Sequence, residues 1–208
     1  MFVFGYHPGG NGSHGAAMLE YDQRVVRKAS CHTCKSVEDA ISWFEGLSVL
    51  PAAIGVDTLT CWSTGASGWR PADVWLRQRY PEARASVASP NSIYGSMSLG
   101  GMSLLLALRS MFPSIIITET HPKVLYRALS GRKYDFVADG SAMLELLSRS
   151  YGVSARCGND HEWDALISAV VAFHAASGSW HRDLHQLACA RGSRLVKPCG
   201  DTSYFWPE

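Results

Sequence analysis

The sequence predicts a mixed α/β domain in which helices flank a sheet that combines an antiparallel three-strand meander with parallel strands. Three β-type segments, residues 2–6, 16–21 and 24–30, follow one another through short connections that contain Gly, Asn and Asp. This pattern is typical of antiparallel hairpins. The rest of the chain alternates apolar, strand-like runs with segments at helical spacing, which predicts parallel strands joined by helices.

The individual elements follow from local patterns. A helix is predicted over residues 37–47, where apolar residues recur every three or four positions after Ser36, a common N-cap residue. Residues 52–56 are apolar throughout, as expected for a strand that is covered on both faces. Further helices are predicted over residues 71–80, 103–111, 121–129, 142–150 and 160–176, and further strands over 115–118 and 194–196.

Composition limits the range of functions. The chain has 208 residues, which fit a single domain over residues 1–208. Hydrophobic residues make up 47%, charged residues make up 18%, and the formal net charge is +1. This charge excludes a strong overall attraction to nucleic acid or to anionic lipid. No apolar run reaches the ~18 residues of a membrane span, and the N-terminus lacks a signal-peptide pattern. We therefore expect a cytoplasmic protein without a membrane partner.

Six cysteines are scattered along the chain, which indicates free thiols in a reducing compartment. Cys31 and Cys34 form a lone Cys-x-x-Cys pair, without a second pair at zinc-binding spacing. We expect a hairpin turn at this pair rather than a zinc or redox site.

Two acidic residues come directly after strand-like runs. Asp57 follows residues 52–56, and Glu119 follows residues 115–118. Sites in α/β proteins gather at the carboxyl ends of strands, so we expect these two acids to converge at one edge of the sheet. The alternatives are a turn or capping role for Asp57 and, for Glu119, a charge that complements the dipole of the following helix.

A third acidic segment, Asp-His-Glu-Trp-Asp over residues 160–164, opens a strongly helical pattern. Asp160 and Asp164 are four apart, and His161 and Asp164 are three apart, so each pair shares a helix face. Asp160 or Asn159 can serve as the N-cap of this helix. Asp164 borders an almost entirely apolar run, where a carboxylate requires a cation, a metal or a hydrogen-bond donor.

His7 ends the first predicted strand, before a Gly-rich loop at residues 8–12. An imidazole can bind a transition metal but is a poor ligand for Mg²⁺. The loop lacks the Gly-Lys-Ser/Thr ending of a phosphate-binding P-loop. His174, His181 and His185 are expected on a helix surface or in the tail, and we do not interpret them as ligands.

In their order and spacing, these motifs resemble the predicted RNase H-like nuclease family known as domain of unknown function 429. The resemblance runs almost from end to end. The segments that carry it are Gly5-Tyr6-His7, Ile54-Gly55-Val56-Asp57, residues 70–77, Ser89-Pro90-Asn91, residues 118–122, residues 160–165 and Tyr204-Phe205-Trp206-Pro207. Residues 70–77 match an Arg-x-x-Asp-x-x-x-Arg pattern of that family. The resemblance implies a ribonuclease H-like fold, similar to that of Holliday-junction resolvases.

The resemblance also implies roles for individual residues. Asp57 matches the acid at the end of the fourth strand, and Asp164 matches the late-helix acid, with His161 completing a His-x-x-Asp pattern. Glu119 matches a feature of the family rather than of the resolvases. On the first strand the family usually has Gly-x-Asp, and that Asp bridges two metals in the fold, whereas this chain has His7.

Two function hypotheses follow. The first is a nuclease that hydrolyses phosphodiesters with Mg²⁺ or Mn²⁺ as cofactor. Its catalytic residues would be Asp57, Glu119, His161 and Asp164, and its metal ligands Asp57, Asp164, Glu119, His7 and Asp160. The alternative is a catalytically degenerate nucleic-acid-binding or scaffold protein of the same fold, because of His7. An actin-like ATPase is disfavoured, since paired Gly-rich phosphate loops are missing. The expected partner is structured or single-stranded nucleic acid, and a homodimer is one option for the oligomeric state.

Overall fold

A central sheet of five strands organises the protein. The computed structural model describes residues 1–10, 12–88 and 95–208. The strands in these ranges are β1 (Phe2–His7), β2 (His14–Asp22), β3 (Val25–Cys34), β4 (Pro51–Val56), β5 (Trp62–Ser63), β6 (Ile116–Glu119), β7 (Arg182–Asp183), β8 (Leu195–Val196) and β9 (Phe205–Trp206). The central sheet has the order β3-β2-β1-β4-β6, while β5 pairs with β8 and β7 pairs with β9.

Both strand directions occur in the central sheet. β2 is antiparallel to both β1 and β3, whereas β4 is parallel to both β1 and β6. This arrangement is the predicted meander followed by parallel strands. The predicted fold class, a mixed α/β sheet with ribonuclease H-like strand order, is therefore confirmed. The parallel strands β1, β4 and β6 end at the same edge, where sites in such sheets gather.

Helices lie between and after the strands. They are α1 (Val37–Gly46), α2 (Pro71–Arg79), α3 (Gly95–Met111), α4 (Pro122–Ser130), α5 (Phe136–Tyr151) and α6 (Asp160–Ala176). Short 3₁₀ helices span Pro81–Ser86 and Leu184–Gln186. Helix α6 begins and ends at the predicted residues, and Asn159 caps it by accepting a hydrogen bond from the N–H of Glu162 at 3.0 Å.

Side chains of β1 and β4 alternate between two hydrophobic cores on opposite faces of the sheet. Val3 and Ala53 belong to the core that includes most of α6. Phe4 and Ile54, their neighbours in sequence, belong to the second core with Phe44 of α1 and leucines of α3. This alternation is the two-residue period of an extended strand, and it means that helices cover both faces.

Helix α6 lies very close to the sheet because three facing strand residues have no side chain. A Cβ atom at Gly5 on β1 would lie 2.0 Å from a carbonyl oxygen of α6. The same atom at Gly15 on β2 or Gly55 on β4 would lie 1.8 or 2.0 Å from other α6 carbonyl oxygens. Such distances are far inside van der Waals contact, so these glycines determine how near α6 approaches β1, β2 and β4.

Strand β3 is longer than predicted and changes the interpretation of the Cys-x-x-Cys pair. β3 continues to Cys34, so Cys31 and Cys34 both lie within a strand, and the expected hairpin turn is wrong. β3 is an edge strand of the central sheet, and much of its side-chain surface is exposed. An edge strand of this kind lacks the apolar run that marks a buried strand, which is why its second half was not predicted.

Helices α3 and α5 begin earlier than predicted, at Gly95 and Phe136. Glycines in the first half of each helix weaken its helical pattern, since glycine has a low helix propensity. In α3, a Cβ atom at Gly101 would lie 2.5 Å from the hydroxyl oxygen of Thr58, so close packing requires glycine there.

Ser89-Pro90-Asn91, one segment of the family resemblance, lies outside the residues that the structure describes. Within the described ranges, we find no helix that combines the length and the apolar character needed to cross a membrane.

Candidate metal centre

Three predicted site residues meet at the carboxyl edge of the parallel strands. His7 is the last residue of β1. Asp57 follows β4, and its N–H donates to the carbonyl oxygen of Tyr6 at 3.0 Å. Asp164 lies in the first half of α6, the helix that the strand glycines bring close to the sheet. Two strand ends and one helix therefore hold these three side chains together.

His7 contacts both carboxylates. Its Nδ1 lies 2.8 Å from Oδ2 of Asp57 and 3.7 Å from Oδ2 of Asp164. One ligand atom from each of the three residues lies within 4.8 Å of the others. The side chains of His7 and Asp164 are 9% and 4% exposed, whereas that of Asp57 is 18% exposed. Asp57 is thus the most accessible member of this cluster, which we call the His7 cluster.

In the His7 cluster the pKa values of His7 and Asp164 are both raised, which favours binding of protons by these two side chains. Burial lowers the pKa of His7, but the hydrogen bond to Asp57 and the charges of Asp57 and Asp164 outweigh this effect and raise it. Burial raises the pKa of Asp164 to about 7, and the charge of Asp57 adds to this rise, although the charge of His7 opposes it. A divalent cation at this position would displace these protons, as metals do when they bind titratable ligands.

Tyr134, between α4 and α5, supports the cluster. Its hydroxyl donates to Oδ1 of Asp164 at 2.8 Å, which fixes that oxygen and leaves Oδ2 towards His7. Nζ of Lys123 lies 5.5 Å from the centre of the Tyr134 ring. Burial and the charge of Asp164 raise the pKa of Tyr134, so it acts as a neutral donor. The role of Tyr134 could not be predicted from the sequence, because no spacing pattern links a residue before α5 to Asp164 in α6.

His161 and Asp160 flank the cluster at the start of α6. The rings of His161 and His7 stack with their centroids 5.2 Å apart, and Nε2 of His161 lies 3.9 Å from Oδ1 of Asp160. Burial and the charge of His7 lower the pKa of His161, which favours its neutral form. The side chain of Asp160 is 53% exposed, and Asp160 does not belong to the set of ligand atoms that meet at His7.

Glu119 ends β6 at the same edge, but it forms an ion pair with Arg70. Nη1 and Nη2 of Arg70 donate to Oε2 and Oε1 of Glu119 at 2.7 and 2.6 Å. The backbone N–H and the hydroxyl of Thr60 donate to Oε2 at 3.0 and 3.1 Å. Both carboxylate oxygens are therefore engaged by protein donors, and the metal-binding role of Glu119 stays a prediction.

Arg70 also binds Asp73, which gives a structural meaning to the Arg-x-x-Asp pattern in residues 70–77. Its Nε and Nη2 donate to Oδ2 and Oδ1 of Asp73 at 2.9 and 2.6 Å. Arg70 is 1% exposed, so this bidentate pairing occurs away from solvent. Burial alone would raise the pKa of Glu119, but the charge of Arg70 outweighs it and lowers that pKa.

His185 is buried beside Glu119, which corrects its predicted position in an exposed tail. Its Nε2 lies 3.4 Å from Oε2 of Glu119 and 3.5 Å from Sγ of Cys61. Burial alone would lower the pKa of His185, but Cys61 and Glu119 raise it to about 10. These three residues also bring metal-ligand atoms together, yet Glu119 is already neutralised by Arg70. His174 is buried as well, at 9% exposure, rather than on a helix surface.

A cavity of about 440 Å³ opens beside the His7 cluster. His7, Asp57 and Lys123 are among the residues that line it. A second cavity of about 400 Å³ shares Lys123 with the first and is also lined by Lys133 and Tyr134. Arg127 and Glu82 also line the second cavity, so positively charged side chains outnumber negatively charged ones there.

The donor atoms of the His7 cluster fit one divalent cation. They do not fit a pair of magnesium ions, which requires a site with more carboxylates. Two-metal centres hold ions about 3.5–4 Å apart with several shared carboxylates, and Mg²⁺ prefers oxygen ligands. Among the described residues, the His7 cluster offers two carboxylates and one imidazole nitrogen. Asp57, Asp164 and His7 could hold one cation, and the site lacks the first-strand carboxylate that would bridge a second.

Comparisons with known proteins give a likeness of fold. A solved structure described as Thermus thermophilus RuvC matches over 86% of this chain and 97% of that chain, with 15% sequence identity and a TM-score of 0.47. No protein-family model matches the sequence, and no curated protein matches it either. At this identity and score the likeness carries no conclusion about activity, and the fold assignment rests on the strand order and directions.

Proposed function

We propose that the protein is a divalent-metal-dependent nuclease of ribonuclease H-like type that hydrolyses phosphodiester bonds in nucleic acid. The observation that carries this proposal is the convergence of His7, Asp57 and Asp164 beside a cavity at the carboxyl edge of the parallel strands. A divalent cation bound there would stabilise the charge that develops on the phosphoryl group and lower the pKa of water.

The chain's own residues would position and assist this chemistry. Asp57 and Asp164 would hold the cation, and Tyr134 orients Asp164 through its hydrogen bond at 2.8 Å. His161, whose ring stacks on that of His7 with the centroids 5.2 Å apart, would accept a proton from the attacking water. Lys123 is exposed at the rim of both cavities, where it offers positive charge to a phosphate of the substrate.

The proposal includes membership of the family known as domain of unknown function 429. Its support is that Arg70, Asp73 and Glu119, which come from two separate segments of the resemblance, form one buried network. This network fixes the end of β6 at the edge where the proposed reaction occurs. A cytoplasmic location and a nucleic-acid partner belong to the same proposal.

One observation favours a second candidate function. His7 Nδ1 already forms a hydrogen bond with Asp57 at 2.8 Å, so Asp57 has a cationic partner within the protein when His7 is protonated. In this alternative the protein is a catalytically degenerate member of the fold, which binds nucleic acid or acts as a scaffold without cleaving it.

Cleavage assays with the wild type and Asp57→Asn separate the two candidates. The substrates are fluorescent single-stranded and branched oligonucleotides, incubated with Mn²⁺ or Mg²⁺. The nuclease proposal predicts cleavage by the wild type and a loss of about 10²-fold or more in Asp57→Asn, because the most accessible cation ligand is removed. Asp201→Asn, whose side chain is 99% exposed, is the matched control and should cleave like the wild type. Oligonucleotide binding without cleavage under any divalent ion would overturn the nuclease proposal and favour the second candidate.

A further inference from the structure

The His7 cluster differs from an all-carboxylate centre in one ligand. Its three donors are Nδ1 of His7 and carboxylate oxygens of Asp57 and Asp164, all within 4.8 Å of one another. We infer that this site binds one divalent transition-metal ion, with His7 Nδ1 as a ligand, and does not assemble a two-magnesium centre. The inference rests on the proposed function for the role of the ion, but its binding can be tested separately.

The chemistry of the donors favours a transition metal. Mg²⁺ requires a nearly regular octahedron of oxygen ligands and usually keeps several waters. Imidazole nitrogen is a common ligand for Fe²⁺, Ni²⁺, Cu²⁺ and Zn²⁺, and the affinity of a given nitrogen and oxygen site rises from Mn²⁺ through Fe²⁺, Co²⁺ and Ni²⁺ to Cu²⁺ and falls at Zn²⁺. A set of one nitrogen and two carboxylate oxygens therefore selects these ions over Mg²⁺.

The charge of the cluster matches one ion. Asp57 and Asp164 are the two carboxylates of the cluster, and two carboxylates balance the charge of one divalent cation. Two other nearby acids, Glu119 and Asp73, do not add negative charge to the cluster. Glu119 and Asp73 are both paired with Arg70, at 2.6 Å each.

Asp160 is another acid near the cluster; its side chain is 53% exposed, and its Oδ1 lies 3.9 Å from Nε2 of His161. One oxygen of Asp164 is also engaged, since Oδ1 accepts from Tyr134 at 2.8 Å. Asp164 therefore offers a single free oxygen, Oδ2, on the His7 side. A second ion would lack a carboxylate from the end of β1, where this chain has His7.

Access to the site is open from one side. His7 and Asp57 line the cavity of about 440 Å³, so an ion can enter from solvent, and open coordination positions can face a substrate there. Asp164 is 3% exposed and supports the site from within the fold.

Titration calorimetry of the full chain with MnCl₂ and MgCl₂ tests the inference. Mn²⁺ is the probe because Zn²⁺ would also bind thiolates, and Cys34 and Cys61 belong to two other groups of potential ligands. We expect one Mn²⁺ per chain, bound at least about 10-fold more tightly than Mg²⁺. His7→Ala should weaken Mn²⁺ binding about 10-fold or more, and His7→Asp should shift the preference towards Mg²⁺. His181→Ala, at an exposed histidine outside the cluster, should bind Mn²⁺ like the wild type.

Electron paramagnetic resonance of free Mn²⁺ counts bound ions in the wild type, so the test does not depend on variants that fold. Two bound ions per chain, equal or tighter binding of Mg²⁺, unchanged Mn²⁺ affinity in His7→Ala, or no binding at all would each overturn the inference. Cleavage with two Mg²⁺ ions would overturn it and leave the nuclease proposal standing. One bound Mn²⁺ without cleavage would support the inference and overturn the nuclease proposal.

Discussion

Arg70 is a fully buried charge whose contacts connect three separate segments of the chain. It donates to Asp73 in α2 and to Glu119 at the end of β6, and one guanidinium nitrogen also reaches the carbonyl oxygen of Cys61 at 3.3 Å. Breaking a buried ion pair leaves the remaining carboxylates without compensation, which is far more costly than losing an exposed pair.

Replacement of Arg70 by leucine should therefore lower the free energy of unfolding by about 3–5 kcal/mol. The measurement is urea denaturation followed by circular dichroism. Arg149→Leu is the matched control, because Arg149 pairs with Glu145 on an exposed helix surface, where the side chains are 77% and 56% exposed. It should change stability by about 0.5 kcal/mol or less. Equal losses in the two variants would contradict the role assigned to Arg70.

His185 makes the stability of the fold depend on pH. Its pKa is raised from 6.5 to about 10 in the folded state, so the protonated form stabilises the fold fully below pH 6.5. This contribution is lost as the pH rises from 6.5 towards about 10. Unfolding free energies of the wild type and His185→Asn should thus differ more at the acidic end of this window than at the alkaline end. A difference that stays constant or grows with pH would show that His185 is not protonated in the fold.

At the residue scale, the sequence allowed prediction of the strand-end acids but not of their partners. Asp57 and Asp164 could be selected because an acid directly after or beside an apolar run is unusual. Glu119 fitted the same pattern, yet it pairs with Arg70, which precedes it by 49 residues. Local patterns carry no information on which buried cation reaches which carboxylate.

The contact between α6 and the sheet is the feature on which the site geometry depends. The bounds of α6 could be predicted, because a long apolar run follows a strong cap. Its distance from the strands could not be predicted, since Gly5, Gly15 and Gly55 become neighbours of α6 only after the sheet has formed. These glycines have no side chain where most strand residues would carry one.

Gly55→Ala should destabilise the protein and displace α6. Its Cβ atom would lie 2.0 Å from the carbonyl oxygen of Ser168, a backbone atom that can move only with the helix. We expect a loss of at least about 2–3 kcal/mol in unfolding free energy, similar to overpacking in a core, together with weaker Mn²⁺ binding. Thermal denaturation and calorimetry measure these effects.

Gly46→Ala is the matched control for this substitution. Gly46 ends α1, and a Cβ atom there would meet no atom within 4 Å. This variant should be neutral or slightly more stable, because alanine favours a helix by up to about 1 kcal/mol over glycine. If Gly55→Ala behaved like Gly46→Ala, the close approach of α6 would not depend on glycine.

At the scale of the whole molecule, charge limits how nucleic acid can bind. The formal net charge is only +1, so attraction to phosphates must come from local groups such as Lys123 and Lys133 beside the two cavities. Each phosphate contact contributes a slope of about 0.7–0.9 to the dependence of log affinity on log salt concentration. A chain with this charge is expected to show a shallow salt dependence.

The double variant Lys123→Ala, Lys133→Ala should reduce that slope by about 1.4–1.8 and weaken oligonucleotide binding. Fluorescence anisotropy at several salt concentrations, without divalent ions, measures both quantities. Lys28→Ala, at an exposed position on the edge strand β3, is the control and should leave the slope unchanged. If Lys28→Ala reduced the slope as much as the double variant does, the nucleic-acid-binding surface would not be the one beside the two cavities.

The fold class could be predicted at this scale because strand and helix patterns alternate clearly along the chain. The meander and the parallel strands form one sheet in the predicted arrangement. The cavity and its positive rim could not be predicted, since they combine residues from β1, the segment after β4, the region after α2, and α4. Such a surface exists only in the assembled molecule.

A crystal structure of the protein soaked in Mn²⁺, with anomalous scattering recorded, tests the central claim most directly. The account predicts one anomalous peak, about 2.0–2.3 Å from Nδ1 of His7 and from carboxylate oxygens of Asp57 and Asp164. Two results of a soak at saturating Mn²⁺ would contradict this account. One is the absence of a peak at the His7 cluster, and the other is a peak only beside Cys61, Glu119 and His185.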